Sequence, residues 1–268
     1  MLDAEGHIRD LSPHLADITG EVLAAESLAR LAQLDPTSLQ RVEDNPRLGP
    51  PVNGIGKIIA IGLNYRSHAE ETGAAPREEP LVFSKAITAL NGPNDPIMIP
   101  KGSTKTDWEA ELAVIIGSVT RYVDENHALD HVAGYAVIND VSERCFQRER
   151  GGQFIKGKSA DTFAPLGPWL VTRDEVPDPQ TLTIWLDLNG RRRQQATTAD
   201  MIFPVAYLIS HVSEFMTLMP GDVIATGTPA GVGMGCTPPE YLKPGDVLEL
   251  GVEGLGRQRQ DVIAYREG

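Results

Sequence analysis

The segment at residues 107–117 restricts what this chain can fold into more than any other part of the sequence. It ends in a run of Leu, Ala, Val and Ile closed by Gly117, a pattern typical of a buried β-strand. Successive strand side chains point to opposite faces, so Glu109 and Glu111 share one face. Two neighbouring carboxylates on a core strand repel each other and lose hydration, and a cation bound between them would relieve both costs. The alternative is a solvent-facing polar edge, the more common environment for glutamate.

A third carboxylate closes the next apolar run. Residues 134–138 form that run, and Asn139 and Asp140 follow it. Glu109, Glu111 and Asp140 together offer hard oxygen donors without a thiolate among them. Such a donor set suits Mg²⁺ or Mn²⁺, with Ca²⁺ a poorer match. The sequence therefore predicts a divalent metal site close to two core strands.

Length and turn-forming residues predict an uneven division of the chain. Its 268 residues, 41% of them apolar, suit one large domain or a small and a large one. Residues 21–34 carry apolar side chains at helical spacing, and a Gly- and Pro-containing stretch at 47–54 follows as a linker. We predict a small N-terminal module at residues 1–54 and a larger domain at residues 55–268, which carries the candidate metal site.

The pattern of apolar runs predicts the fold class. From residue 58 onward short apolar runs alternate with Pro and Gly turns, which is typical of strands. Clear helical patterns are limited to residues 125–131, 142–148 and 204–216. We therefore predict a mainly β fold with some helices, of the α+β class, and not a doubly wound α/β sheet.

Charge and hydropathy argue against several classes of partner. The formal net charge of −13 opposes binding to nucleic acid or to an anionic membrane. No apolar run approaches the roughly 20 residues that span a bilayer, and the acidic N-terminus is unlike a secretory signal. Cys145 and Cys236 have no metal or redox spacing, so a reduced, cytoplasmic protein is expected. A small anionic substrate remains compatible, because one stretch concentrates positive charge at Arg144, Arg148, Arg150, Lys156 and Lys158.

One nucleotide-binding motif fits the sequence by its letters but not by its context. Residues 152–159 match the Walker A pattern, which requires a strand before it and a helix after it. A charged segment precedes the match, and Pro165 would break a following helix within its second turn. A P-loop nucleotide hydrolase is therefore only a remote alternative.

A second candidate for chemistry follows the first predicted strand of the larger domain. If a helix starts there, His68 and Glu71 lie three residues apart on one side of it. A carboxylate beside an imidazole fixes its tautomer and raises its pKa, which makes the pair a candidate general base. The alternative is an ordinary surface pair at this spacing.

Over about residues 57–265 the chain resembles the fumarylacetoacetate hydrolase superfamily. The order and spacing of several signatures carry the resemblance. The main ones are Asn64-Tyr65-x-x-His68-x-x-Glu71, Phe83-x-Lys85, Asp107-x-Glu109-x-Glu111, Asn139-Asp140-Val141-Ser142-x-Arg144-x-x-Gln147, Gly157-Lys158-Ser159 and Thr226-Gly227-Thr228-Pro229-x-Gly231-Val232-Gly233. One departure is Cys145, where relatives often carry Asp.

The resemblance implies a fold, a metal and a set of roles. It implies a β-roll specific to this superfamily and Mg²⁺ or Mn²⁺ held by Glu109, Glu111 and Asp140. It also implies a lid segment carrying His68 and Glu71, and usually a homodimer, with a tetramer as the alternative. Catalytic roles are expected for His68, Glu71 and Lys158, and substrate contacts for Tyr65, Lys85, Arg144, Gln147 and Thr228.

Members of this superfamily include C–C bond hydrolases, oxaloacetate decarboxylases and keto-acid isomerases. They share a 2-keto acid bound to the metal, which stabilises an enolate at carbon 3. Because a hydrolase also needs a base for its water, the His–Glu pair favours cleavage of the C3–C4 bond of a 2,4-diketo acid. Residues 144–153 and 156–163 are similar to bacterial 2,4-diketo-3-deoxy-sugar-acid hydrolases. That similarity implies a rhamnonate- or fuconate-derived substrate giving pyruvate and lactate, although chains with this signature are also called ureidoglycolate lyases.

Overall fold

β-Strands contribute more residues than helices to the computed structural model, which describes residues 1–73, 75 and 77–267. This agrees with the α+β class that the apolar runs predict. The strands, in chain order, are β1 Ile58–Gly62, β2 Leu81–Lys85, β3 Leu90–Asn91, β4 Ile97–Met98, β5 Thr106–Asp107, β6 Ala110–Ile116, β7 Val132–Asn139, β8 Ser142–Glu143, β9 Ala164–Thr172, β10 Thr183–Leu188, β11 Arg191–Thr197, β12 Val223–Ala225, β13 Val247–Val252 and β14 Arg257–Ile263.

Two mixed sheets pack against each other around a common core. Over the described ranges the larger sheet has the order β2-β1-β12-β6-β7-β9-β3, and the smaller has the order β11-β10-β13-β14-β4. The strands β6 and β7 lie near the middle of the larger sheet, and every one of their residues is buried. Both also contact β13 of the smaller sheet. Burial on both faces explains why these strands read as continuous apolar runs.

Helices are short and lie at the ends and edges of the sheets. They are α1 Ala25–Leu31, α2 Arg66–Glu71, α3 Glu125–Ala128, α4 Phe154–Lys158 and α5 Val205–Phe215, with a π-helical turn at Cys145–Glu149. The helical pattern predicted at 142–148 was wrong at its start, because Ser142 and Glu143 pair with Thr106 and Asp107 as β8 against β5. Within the described residues no helix is long and apolar enough to cross a membrane.

The N-terminal segment is packed onto the same core as the sheets. Leu23 and Val52 are each 1% exposed and belong to one hydrophobic cluster with β1, β6 and β7. The backbone N–H of Asn53 donates to the carbonyl of Ile18, which holds the end of the segment against its own start. The division of the chain after residue 54 remains a prediction.

The pairing of β6 with β7 decides where the candidate metal ligands meet. In this antiparallel pair Ala110 lies opposite Asn139, and Glu111 lies opposite Ile138. One residue further along, the N–H of Asp140 donates to the carbonyl of Glu109 over 2.9 Å. The start of β6 and the end of β7 therefore bring these acidic residues together.

Candidate active site

Three carboxylates converge where β6 begins and β7 ends. One oxygen from each of Glu109, Glu111 and Asp140 lies within 4.8 Å of the other two. The three residues are 5%, 1% and 1% exposed. The polar-edge alternative for the Glu-x-Glu pair was therefore wrong, and the cluster can bind a metal ion.

Buried cations surround two of these carboxylates. Lys158 Nζ lies 2.5 Å from Glu109 and 2.6 Å from Asp140. Lys85 Nζ lies 2.5 Å from Asp140, and Arg144 donates to Glu109 over 2.7 Å. Burial alone would raise the pKa of Glu109, but the charges of Lys158, Arg144 and His68 outweigh burial and hold that pKa well below its usual range.

Glu111 lies among these charges without an ion pair in the described part of the chain. Its Oε2 accepts a hydrogen bond from the Gly227 N–H over 2.8 Å. Burial, followed by the negative charges of Asp140 and Glu109, raises the pKa of Glu111 well above its usual range. A divalent cation fits this position, because it would bind three oxygen donors and compensate the carboxylate that has no cation of its own.

The predicted His68–Glu71 pair forms within α2, of which Glu71 is the last residue. The helix begins just after the buried Asn64, whose side-chain amide bonds the carbonyls of Phe203 and Thr226 at 3.0 and 2.8 Å. His68 Nδ1 lies 3.2 Å from Glu71 Oε2, and His68 is only 5% exposed. The surface-pair alternative is therefore wrong. The charge of His68 is also among those that lower the pKa of Glu109, which brings the pair within electrostatic reach of the carboxylates.

Asp107 links this site to a distant segment, and the sequence analysis assigned it no role. It is fully buried, and one oxygen accepts from the Gly233 N–H over 2.7 Å. The other oxygen accepts from Arg144 Nε over 2.8 Å and from the Met234 N–H over 3.0 Å. Arg144 is thus held in place from one side by Asp107 and bonds Glu109 on the other. The Asp-x-Glu-x-Glu spacing was a signal that Asp107 lies on the same face as the two glutamates, but it did not indicate the contact with the distant segment.

The remaining predicted site residues lie at or near the cluster, with different surroundings. Gln147 Oε1 accepts from Arg144 over 3.1 Å. Thr228 Oγ1 donates to the carbonyl of Ala110 over 2.9 Å and accepts from Gln194 over 2.7 Å. Tyr65 Oη is buried and has no hydrogen-bond partner within the described residues. Gln194 is a further positioning residue that the sequence analysis did not single out.

The positive stretch at 144–158 does not act as one cluster. Arg144 and Lys158 are buried at the carboxylates, whereas Arg148, Arg150 and Lys156 are exposed. Of the five cations predicted to favour a small anionic substrate, only Arg144 and Lys158 therefore lie at the carboxylates. The P-loop alternative also fails here, because α4 is five residues long and its Lys158 bonds Glu109.

The fold and the buried acidic pocket place the chain among enzymes that can bind a metal ion through carboxylates. The sequence profile described as fumarylacetoacetate (FAA) hydrolase C-terminal matches residues 57–263, and the chain belongs to this family. A Burkholderia multivorans protein named only as a hydrolase is 59% identical over 267 residues, which are 99% of this chain and 95% of that protein.

Solved structures show the same fold. A fumarylacetoacetate hydrolase from Exiguobacterium antarcticum superposes with a TM-score of 0.88 at 39% identity, covering 98% of this chain and 94% of that one. A maleylpyruvate hydrolase from Sphingobium sp. SYK-6 superposes with a TM-score of 0.82 at 32% identity, covering 99% and 96% of the two chains. These likenesses confirm the fold class and the family resemblance.

Proposed function

We propose that this enzyme is a metal-dependent hydrolase that cleaves the C3–C4 bond of a 2,4-diketo acid, an acylpyruvate. The observation that carries the proposal is the buried His68–Glu71 pair beside three converging carboxylates. A decarboxylase needs only a cation that stabilises an enolate, whereas a hydrolase also needs a base for its water. The His–Glu pair supplies that base. The maleylpyruvate hydrolase among the similar structures supports the same reaction class.

The His–Glu pair moves the protons of the reaction. Glu109, Glu111 and Asp140 would hold Mg²⁺ or Mn²⁺, which would supply positive charge to the 2-keto acid part of the substrate. Glu71 Oε2 accepts a hydrogen bond from the Nδ1–H of His68, which leaves Nε2 unprotonated and able to take a proton from water. The water oxygen bonds to carbon 4, whose carbonyl becomes an oxyanion. As the oxyanion collapses, the C3–C4 electron pair leaves with carbon 3, which takes the proton from His68. The products are pyruvate and a carboxylic acid.

The buried cations and the polar side chains would hold the substrate. Lys158 and Arg144 are placed to neutralise the charge that develops near the carboxylates. Arg144 also bonds Gln147, so the two present their donors together. Further substrate contacts are proposed for Tyr65, Lys85, Gln147 and Thr228.

The proposed substrate is a 2,4-diketo-3-deoxy derivative of rhamnonate or fuconate, cleaved to pyruvate and lactate. This choice is supported by the resemblance of residues 144–153 and 156–163 to hydrolases of such acids. The sequence also suggested that the polar residues 149–153 hydrogen-bond the hydroxyl groups of the substrate, but their exposed positions do not support this contact. Glu149 is exposed and bonds Lys105, so hydroxyl recognition is assigned to other residues of the pocket.

A direct comparison of substrates tests the proposal. The purified protein is assayed with the six-carbon diketo-deoxy acid and with acetylpyruvate, with Mg²⁺ and with excess chelator, and both products are identified. A site that bonds hydroxyls rejects an analogue without them, so we expect the sugar acid to have the higher kcat/KM. Equal turnover of acetylpyruvate would discard the sugar acid and keep the hydrolase. Full activity with chelator, once the metal content is verified as absent, would discard the metal.

Removing the base separates hydrolysis from decarboxylation. His68→Ala should lower C–C hydrolysis about 10²- to 10⁴-fold, the usual contribution of a general base. It should retain Mg²⁺-dependent oxalate binding and lose much less of any oxaloacetate decarboxylation. His127→Ala is the matched control, because His127 is exposed and pairs only with the exposed Asp124. An equal loss of both activities in His68→Ala would contradict the role given to the pair.

Other activities of the family are tested by assaying the same protein with the substrates of those reactions. Release of CO₂ from oxaloacetate, isomerisation of an unsaturated keto acid or cleavage of ureidoglycolate would each replace hydrolysis as the principal reaction. The homodimer, with a tetramer as the alternative, is also a proposal, which light scattering on a sizing column tests. Cell fractionation tests the proposed cytoplasmic location.

A further inference from the structure

Residues 231–235, called here the glycine turn, bond two carboxylates of the site, those of Glu71 and Asp107, through their backbone N–H groups. The Gly231 N–H donates to Glu71 Oε1 over 2.9 Å. The N–H groups of Gly233 and Met234 donate to the two oxygens of Asp107. Backbone donors have no rotamers, so the conformation of the turn fixes where both carboxylates lie.

Gly235 faces the Glu71 carboxylate with no space between them for a side chain. A Cβ atom built on Gly235 would lie 2.2 Å from Glu71 Cδ, 2.5 Å from Oε1 and 2.6 Å from Cγ. The φ angle of Gly235 is outside the left-handed region, so alanine can adopt this backbone. The backbone therefore does not require glycine here, whereas the position of Glu71 does.

We propose that Gly235 is a positioning residue for the His68–Glu71 pair, and this inference rests on the hydrolytic function proposed above. Its missing side chain leaves room for Glu71, while the Gly231 N–H holds Oε1. The second oxygen, Oε2, is then directed at His68 Nδ1 at 3.2 Å. The turn thereby sets the tautomer and orientation of His68 from a point more than 160 residues along the chain.

The proposal predicts a specific kinetic defect. In Gly235→Ala the Glu71 carboxylate has to retreat by about 1 Å, and a misplacement of that size can cost about 10²-fold in rate. We therefore expect kcat to fall about 10- to 100-fold. KM and Mg²⁺-dependent oxalate binding should change little, because the three atoms nearest to the added Cβ all belong to Glu71 and not to the carboxylate cluster or its cations. Gly49→Ala is the matched control, since a Cβ at Gly49 meets nothing within 4 Å.

A double-mutant cycle decides between positioning and a general structural effect. Glu71→Gln, Gly235→Ala and the double variant are compared with the native enzyme by kcat for C–C hydrolysis. If Gly235 acts through Glu71, Glu71→Gln costs far less in the Gly235→Ala background than in the native one. Additive losses, or a native kcat in Gly235→Ala, would overturn the positioning role of Gly235 and leave the hydrolytic role of the His68–Glu71 pair intact. A native kcat in Glu71→Gln removes the hydrolytic role of the pair and the positioning role with it.

A stability measurement keeps the proposal testable if Gly235→Ala does not fold. Alanine lacks the Cγ, Cδ and Oε1 atoms that overlap the added Cβ, so Glu71→Ala removes all three overlaps. The Tm of Gly235→Ala should recover when Glu71→Ala is added, whereas Glu71→Ala alone should not raise the native Tm. A double variant as unstable as Gly235→Ala itself overturns the proposal.

Discussion

Glu111 is the residue whose charge depends most on a bound cation. Glu109 and Asp140 each contact buried Lys or Arg side chains, whereas Glu111 is stabilised by one backbone N–H in the described part of the chain. Its raised pKa means that folding without a metal favours the protonated form. A metal ion requires the ionised form, so binding has to release a proton. The apparent metal affinity should therefore increase with pH.

The Glu111→Gln variant tests this account through stability. Above pH about 4.3 an unfolded glutamate is ionised, so the metal-free native protein loses stability as the pH rises from there toward the raised pKa of Glu111. A glutamine side chain does not titrate, so metal-free Glu111→Gln should equal or exceed the native protein in stability, by a margin that grows with pH. A Mn²⁺ concentration 100-fold above the native Kd should stabilise the native protein by about 2.7 kcal/mol. The same concentration should stabilise Glu111→Gln far less.

Thermal unfolding with and without Mn²⁺, at several pH values, measures both effects. Glu70→Gln is the control, because Glu70 is exposed on α2, the short helix that carries His68 and Glu71. An undiminished Mn²⁺ stabilisation in Glu111→Gln would exclude Glu111 as a ligand.

Site residues close together in sequence were the ones that residue types could predict. His68 and Glu71 are three residues apart on α2, and Glu109 and Glu111 are two apart, so local periodicity places each pair on one side. Contacts between distant segments carry no such signal. The bond from Gly231 to Glu71 spans 160 residues, and that from Gly233 to Asp107 spans 126. The backbone donors of these bonds are invisible to side-chain patterns.

At the scale of elements, a side chain of β11 in the smaller sheet bonds the start of β6 in the larger sheet. Gln194 is buried on β11, and its Oε1 accepts from the N–H of Ala110, which lies between Glu109 and Glu111. Its Nε2 donates to Thr228 Oγ1 and to the carbonyl of Pro229. A single side chain therefore satisfies three buried polar groups where β6 begins.

Gln194→Leu should lower both stability and metal affinity. Leucine cannot replace these bonds, and each buried group left unsatisfied costs about 1–3 kcal/mol. We expect a loss of at least about 1–3 kcal/mol in urea unfolding at unchanged slope, and a higher Mg²⁺ requirement. Gln195→Leu is the control, because the neighbouring Gln195 is exposed on the opposite face of β11. Equal stability of the two variants would show that Gln194 does not support the site.

The same strand shows why some elements escaped prediction. The first five of the seven residues of β11 read Arg-Arg-Arg-Gln-Gln, with no apolar alternation to mark a strand, and the pairing of β11 with β10 comes from tertiary packing. For the same reason β14 begins at Arg257, well before the apolar residues that indicated it. Strands buried on both faces, such as β6 and β7, were predictable because their apolar runs are nearly continuous.

At the scale of the whole molecule, the N-terminal segment and the sheets share one core. A Cβ atom on Gly20 would lie 2.2 Å from the carbonyl oxygen of Pro220, so the segment meets the turn before β12 at close range. Leu23 and Val52 are buried in the same cluster as the central strands. β12 pairs with β6, the strand that carries the candidate metal ligand Glu111. Loss of the segment should therefore affect more than the N-terminus.

Truncation at residue 54 should destabilise the remaining chain. Exposing the surfaces buried by Leu23 and Val52 costs about 1.5–3 kcal/mol for each side chain, a large part of the stability of a typical protein. We expect residues 55–268 to unfold at a clearly lower temperature than the full chain, or to aggregate. A chain starting at residue 18 is the control, because it keeps Leu23 and Val52 and should stay close to the full-length Tm. If residues 55–268 instead match the full chain in Tm, the first 54 residues are an independent module, and their contact with the core contributes nothing measurable to the stability of the site.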